Sequence, residues 1–418
     1  MHERIHNQIF WLSSLANAFF LPVFGRVLPL IIIVMVLNWL IKGNIFTNFR
    51  GLFSEKKRLQ TLSFASLYVL YVIGLFYTSN YDYARFDLEV KMSLLIFPLV
   101  FASSPLPAFS QKQYDSVLAA FIAGCLTGAL IILGHAFLNQ YSENISGSFY
   151  YTKLAWYFHS SYLAMYYNFA IIILLLALLG DNRRPLMQIL LFSGFILFFI
   201  WMILLLASKA GLITLAVVLV LTSVYSSALL KKIKIGMAIL GIGICTFLTG
   251  YFITPVAFAR MSVVEKVVVD QNKHDRLTPE SNADRLVVWK TAVQIIGQNF
   301  FFGVGTGDVK DALLEGYARQ QAMPALQHKY NAHSQYLQTF VALGFTGFLL
   351  LALIFFGPAL FALKTHHYLY FFFLLIFALN ALTESMLEVQ AGVIFYAFFN
   401  IILFTNTGAV SKMTSPQN

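Results

Sequence analysis

Uninterrupted apolar stretches of about 17–25 residues recur along this chain, separated by short loops that carry most of its charges. A stretch of that length crosses a hydrocarbon layer of roughly 30 Å as an α-helix. In lipid only helices and closed barrels satisfy their own backbone groups. A barrel would show segments of about ten alternating residues, and no such alternation is present here. Composition agrees: 11% of the 418 residues are charged and 59% are hydrophobic, whereas a water-soluble domain carries about 25% charged residues. The sequence therefore predicts an all-α polytopic membrane protein with membrane lipid as its solvent.

Twelve transmembrane helices are predicted, over 8–24, 27–42, 61–78, 90–104, 115–138, 158–179, 187–207, 210–230, 235–254, 333–360, 367–383 and 388–406. This divides the chain into 1–254 with spans one to nine, a hydrophilic loop domain at 255–332, and 333–418 with spans ten to twelve and a tail. With both termini in the cytoplasm, 14 Lys and Arg fall on inner loops and only Arg26, Arg85, Lys91, Lys153 and Lys209 on short outer loops. The large loop then faces outward, into the periplasm if the membrane is a bacterial inner (cytoplasmic) membrane. The net charge of +10 is thus topological, and no nucleic-acid partner is expected. No cleavable signal peptide is expected, because Arg26 and a second span follow the first. Cys125 and Cys245 lie mid-span without Cys-x-x-Cys spacing and read as core thiols.

Within the outer loop, Ser281-Asn282-Ala283-Asp284 has a capping-box pattern. It predicts an amphipathic helix with Leu286, Trp289, Val293 and Ile296 as its apolar stripe. Arg285 falls in the first turn, where the helix dipole disfavours a cation. It is either a solvated arginine or one with a task beyond helix stability. Gly303-Val304-Gly305-Thr306-Gly307-Asp308 lacks a preceding strand and dinucleotide-site spacing. It reads as the end of one helix, with Asp308 capping the next at 309–321.

The most informative stretch opens the tenth span with Asn331-Ala332-His333-Ser334 and continues to Gly344-Phe345-Thr346-Gly347. On a continuous helix both glycines lie within about 40° of the His333 direction, with Gly344 roughly 16 Å deeper. A small-residue face of this kind admits a close neighbour. An imidazole at the outer surface, titrating near neutral pH, suits a general base; the alternative is an interfacial histidine without a role.

His333-Ser334, nine residues, then Gly344-x-x-Gly347 resembles the signature of the bacterial O-antigen ligases, in the wider ligase and polymerase superfamily. Arg285-x3-Trp289 followed by Phe302-Gly303-Val304-Gly305 resembles the arginine helix and Gly-rich exit of that family's loop. The layout is similar over most of 60–405 and the motifs over about 200–350. The resemblance implies a glycosyltransferase of lipopolysaccharide biosynthesis. Its donor is a polysaccharide on undecaprenyl pyrophosphate and its acceptor a sugar hydroxyl of lipid A-core. It implies His333 as catalytic base and Arg285 as catalytic and donor pyrophosphate-binding, without metal or cofactor. Fixed cations suit a leaving group that gains negative charge, and the arginine fork matches phosphate oxygens.

One position departs from the family pattern. Where members carry an arginine between the seventh and eighth spans, this chain has Ala207-Ser208-Lys209-Ala210-Gly211. Lys209 keeps the charge and loses the bidentate fork, or is a lysine snorkelling to the interface. His159, Arg260, Glu384 and Glu388 are further candidates for substrate binding, each with an interfacial, solvated or ion-paired alternative. Two other functions remain. A polymerase of the same superfamily would favour two sizeable outer loops, and a lipid-linked glycan transporter would favour internal repeats and midplane charges.

Overall fold

In a computed structural model, residues 2–42, 56–103, 109–145, 147–181, 183–253 and 282–406 are described. Among them the chain is helical throughout, with no strand. Helices α1 (His2–Phe20), α2 (Leu28–Ile41) and α3 (Ser66–Ile73) are followed by α4 (Tyr81–Lys91), α5 (Ser93–Ser103) and α6 (Gln111–Tyr141). Then come α7 (Ser160–Gly180), α8 (Leu186–Leu206), α9 (Lys209–Val224) and α10 (Ile233–Ile253). The outer segment contributes α11 (Asn282–Gln298) and α12 (Val309–Arg319), and the chain closes with α13 (Gln335–Lys364), α14 (Tyr368–Thr383) and α15 (Gln390–Thr405). Arg260 and Ser281 lie outside the described residues.

Among the described residues five helices are long and apolar enough to cross a membrane: α6, α7, α8, α9 extended to Leu229, and α13. Six shorter apolar helices of 10–17 residues accompany them, α14 and α15 included. The exterior is apolar along α2, α8 and α10, where Ile33, Leu37, Met187, Leu190, Met237 and Phe247 are exposed. A water-soluble monomer rarely shows such a surface; lipid is its natural complement. Cys125 is buried as expected, but Cys245 is exposed on α10, on this apolar exterior rather than in the core.

Helix α7 is apolar all round, and almost every residue along it is buried. It packs against α8, α9 and α14. Phe121, Phe169, Phe373, Phe395 and Phe399 interlock around it, with Phe121–Phe399 and Phe169–Phe399 ring centroids 4.9 and 5.0 Å apart. Edge-to-face contacts of this kind fix helix positions where hydrophobicity alone gives no drive between helices.

Two expectations fail in whole or in part in the outer segment. Of the expected stripe of α11, Ile296 is buried and Trp289 packs half-buried against the core, but Leu286 and Val293 are exposed and Val288, Ala292 and Ile295 complete the buried face. Contact with α12 and α13 sets the buried face, and the sequence pattern had the phase shifted by part of a turn. Asp308 does sit before α12, but its carboxylate makes no cap bond. It accepts instead from the backbone N–H of Ser79 and Asn80, both at 2.7 Å, tying the outer segment to the start of α4.

The larger correction concerns α13. His333 is not in the helix: its φ is 43°, and the helix begins at Gln335. Nor is the helix continuous, because Gly344 takes φ 65° and ψ −159°. A straight helix would separate Tyr336 from Phe355 by about 28 Å; here their rings lie 6.1 Å apart. The arm 335–343 therefore folds toward the arm 345–364, and the shared face expected for His333, Gly344 and Gly347 does not exist. What Gly344 admits is a loop. Val304 N–H donates to Val341 O and Gly305 N–H to Ala342 O, both at 2.9 Å, and Phe345 N–H donates to Phe300 O at 2.7 Å. A Cβ on Gly344 would stand 2.4 Å from the Phe301 backbone. The Gly-rich exit thus satisfies the backbone groups that the break releases. Gly347 packs inside the same bend, against Leu343 and Thr339.

Candidate active site

The chain reverses direction between α14 and α15, and the turn carries Glu384 into the junction of four segments. Glu384 is 6% exposed. One oxygen accepts from the Arg285 Nη2 of α11 at 2.7 Å, and the neighbouring Thr383 carbonyl accepts from Nη1 at 3.0 Å. The other oxygen lies 3.6 Å from His333 Nδ1. That separation is longer than a hydrogen bond and short enough for a strong charge contact. Burial alone would push the Glu384 carboxyl up. The His333 contact and the Arg285 and His159 charges outweigh it and hold the carboxyl down at about 2.

His333 is held by its own backbone surroundings. Its N–H donates to Asn331 Oδ1 at 3.0 Å, and the same oxygen accepts from Ser385 Oγ at 3.3 Å. This short side-chain turn supports the left-handed φ, an unfavourable conformation for a residue other than glycine. Tyr330 meets the imidazole edge-on at 5.1 Å. His333 as a whole is 8% exposed. Among the described residues neither ring nitrogen has a hydrogen-bond partner. With Nδ1 turned to Glu384, Nε2 is the other nitrogen, buried and without such a partner.

The α8–α9 turn reaches the same cluster through two hydroxyls. Ser161 Oγ lies 3.3 Å from Glu384 Oε1 and 3.1 Å from Ser208 Oγ. Ser208 caps α9, accepting from Gly211 N–H at 3.2 Å, and Lys209 follows it. A Cβ on Gly211 would meet Ala164 at 2.4 Å, so the glycine lets α9 press close to α7. Asn168 Nδ2 locks that approach by donating to the Gly211 and Ala164 carbonyls. His159 caps α7 from the neighbouring position, its Nδ1 accepting from Ser161 N–H at 3.4 Å.

The structure thus brings Arg285 and His333 each against Glu384, with the His159 charge near enough to act on it. Lys209 is the chain neighbour of Ser208, whose hydroxyl reaches Glu384 through Ser161. Glu388 is four residues further on and pairs elsewhere, with Lys91 at 3.0 Å. Arg260 lies outside the described residues. Sequence reasoning missed Ser161, Ser208 and Asn331 as contributors; the Ser-x-x-Gly capping pattern at 208–211 was the available signal for one of them.

A family model described as O-antigen ligase matches residues 170–352. Over that segment the chain is similar to the O-antigen ligases. The match contains Lys209, Arg285, His333, Gly344 and Gly347, while His159, Ser161 and Glu384 lie beyond its ends. No curated protein matches the chain. The O-antigen ligase match and the apolar helices together support a membrane enzyme of the glycosyltransferase kind, in the ligase and polymerase superfamily.

Proposed function

We propose that the chain transfers O-antigen polysaccharide from undecaprenyl pyrophosphate to a sugar hydroxyl of lipid A-core. The reaction takes place at the periplasmic face of the inner membrane. The observation that carries this reading is the Arg285–Glu384–His333 cluster, which joins a fixed cation and a buried histidine through one carboxylate.

In this scheme His333 Nε2 takes the proton of the acceptor hydroxyl as its oxygen attacks the anomeric carbon of the donor. Glu384 faces Nδ1 and stabilises the imidazolium as it forms, as a carboxylate does behind a catalytic histidine. The bond from the anomeric carbon to the pyrophosphate oxygen breaks, and undecaprenyl pyrophosphate leaves with the negative charge. Arg285 and Lys209 hold that charge, and the scheme needs no metal. A guanidinium has five N–H donors in a fixed fork, so one arginine serves both Glu384 and a phosphate. Twelve spans with both termini cytoplasmic, 255–332 forming the periplasmic loop domain, would give the donor's lipid and the acceptor one shared outer leaflet.

The test uses purified protein in nanodiscs with polysaccharide on undecaprenyl pyrophosphate and lipid A-core. Wild type should attach polymer to lipid A-core, and His333→Ala should abolish attachment while reaching the membrane in normal amount. Near-normal transfer by His333→Ala overturns the assignment. Growth of lipid-linked polymer without acceptor identifies the polymerase reaction instead.

A further inference from the structure

A second buried polar cluster lies beside the first and is not used by the transfer scheme. Lys91, at the end of α4, is fully buried. It bonds Asp87 one helical turn earlier and Glu388 at 3.0 Å, and its ammonium sits 4.7 Å over the Tyr71 ring. Gln335, also fully buried, connects this trio to the active-site turn. Its N–H donates to Glu384 O at 3.2 Å, and its Oε1 accepts from Leu387 N–H at 2.6 Å. Its Nε2 donates to Thr339 Oγ1 at 3.0 Å and to Glu388 Oε1 at 3.3 Å. Gln335 is two residues beyond His333, so one side chain spans the segment bearing the base and the turn bearing its carboxylate.

Burying an ammonium and two carboxylates has a desolvation cost that apolar residues of the same volume would avoid. Stability therefore does not explain the trio, whereas directional bonds that fix one geometry do. We propose that Lys91 is a positioning residue for transfer: it anchors Glu388, which with Gln335 sets where the 384–388 turn presents Glu384 to His333. The kinetic part of this proposal rests on the transfer reading above; the structural part does not.

Hydrogen exchange in nanodiscs tests the structural part without any substrate. Lys91→Met should speed exchange of the Gln335 and Leu387 amides about tenfold or more, with peptides from α7 unchanged. Unaltered exchange at those two amides overturns the proposal, whatever the protein's activity. In the transfer assay Lys91→Met should lower kcat by tenfold to a hundredfold, of the order expected for a misplacement near 1 Å. KM for the undecaprenyl pyrophosphate donor should stay within about twofold, because the trio does not touch it. Lys91→Arg should recover part of kcat. Lys91→Met/Glu388→Gln removes the carboxylate left without its partner, and should restore Tm but not kcat. Recovery of kcat together with Tm in that double variant means a structural role only, and overturns positioning. Failure of wild type to transfer refutes the function, while the exchange result still decides the brace.

Discussion

Glu384→Gln isolates one charge while keeping size and hydrogen-bonding capacity. The carboxyl is held at about 2 against an ordinary 4.5, which at 1.4 kcal/mol per tenfold favours its charged form by about 3 kcal/mol. Removing one partner of a buried pair costs a similar about 3–5 kcal/mol, since the Arg285 charge is left behind. Because the folded value is depressed, the contribution is fully present above about 4.5 and is lost as pH falls from there toward 2. Thermal unfolding followed by tryptophan fluorescence should therefore show wild type losing Tm between pH 4.5 and its acid limit. Glu384→Gln should start lower at pH 7 and show a flatter acid limb. Transfer should fall by on the order of 10²–10⁴ in kcat, as when a histidine loses the carboxylate behind it. A variant with wild-type Tm at pH 7 and the same acid limb would refute the charge accounting. Wild-type kcat would refute the role of Glu384 behind His333.

Arg285→Lys loses the fork that reaches Thr383 and Glu384 together, so kcat/KM should drop about tenfold to a hundredfold. Arg319→Lys, at a pair about two-thirds exposed, should change nothing measurable in the same assay. Gly344→Ala would set a Cβ 2.4 Å from the Phe301 backbone at φ 65°. It should cost about 1–3 kcal/mol from backbone strain alone, read as a lower Tm and weaker protection of the 300–305 amides.

The all-helical, apolar character was legible because lipid imposes a length and an apolar content that composition reveals directly. The family-like motif singled out His333 and Arg285, and the structure places both against Glu384; Lys209 was singled out by its position in a tight turn. The break in α13 was not, because a hydrophobic period carries no record of φ at a single glycine. Nor was the pairing of Glu384 with Arg285, or of Lys91 with Glu388. Each joins residues about 100 or 300 positions apart, and each was one of several charges on the outer side. The stripe of α11 failed in part, for a related reason. Leu286 and Val293 satisfy a helical period as well as Val288 and Ile295 do, and only the neighbour decides between them.

The break at Gly344 also bears on how such a domain can be altered as a unit. The carbonyls of Val341 and Ala342 and the N–H of Phe345 find their partners on a segment some forty residues earlier. Neither stretch completes its backbone bonding alone. A chimaera that imports 299–307 from a relative must bring 341–345 with it, or leave three backbone groups stranded where lipid cannot receive them. The two stretches are then one inheritable part written in two places, and an exchange boundary drawn between them would cut it.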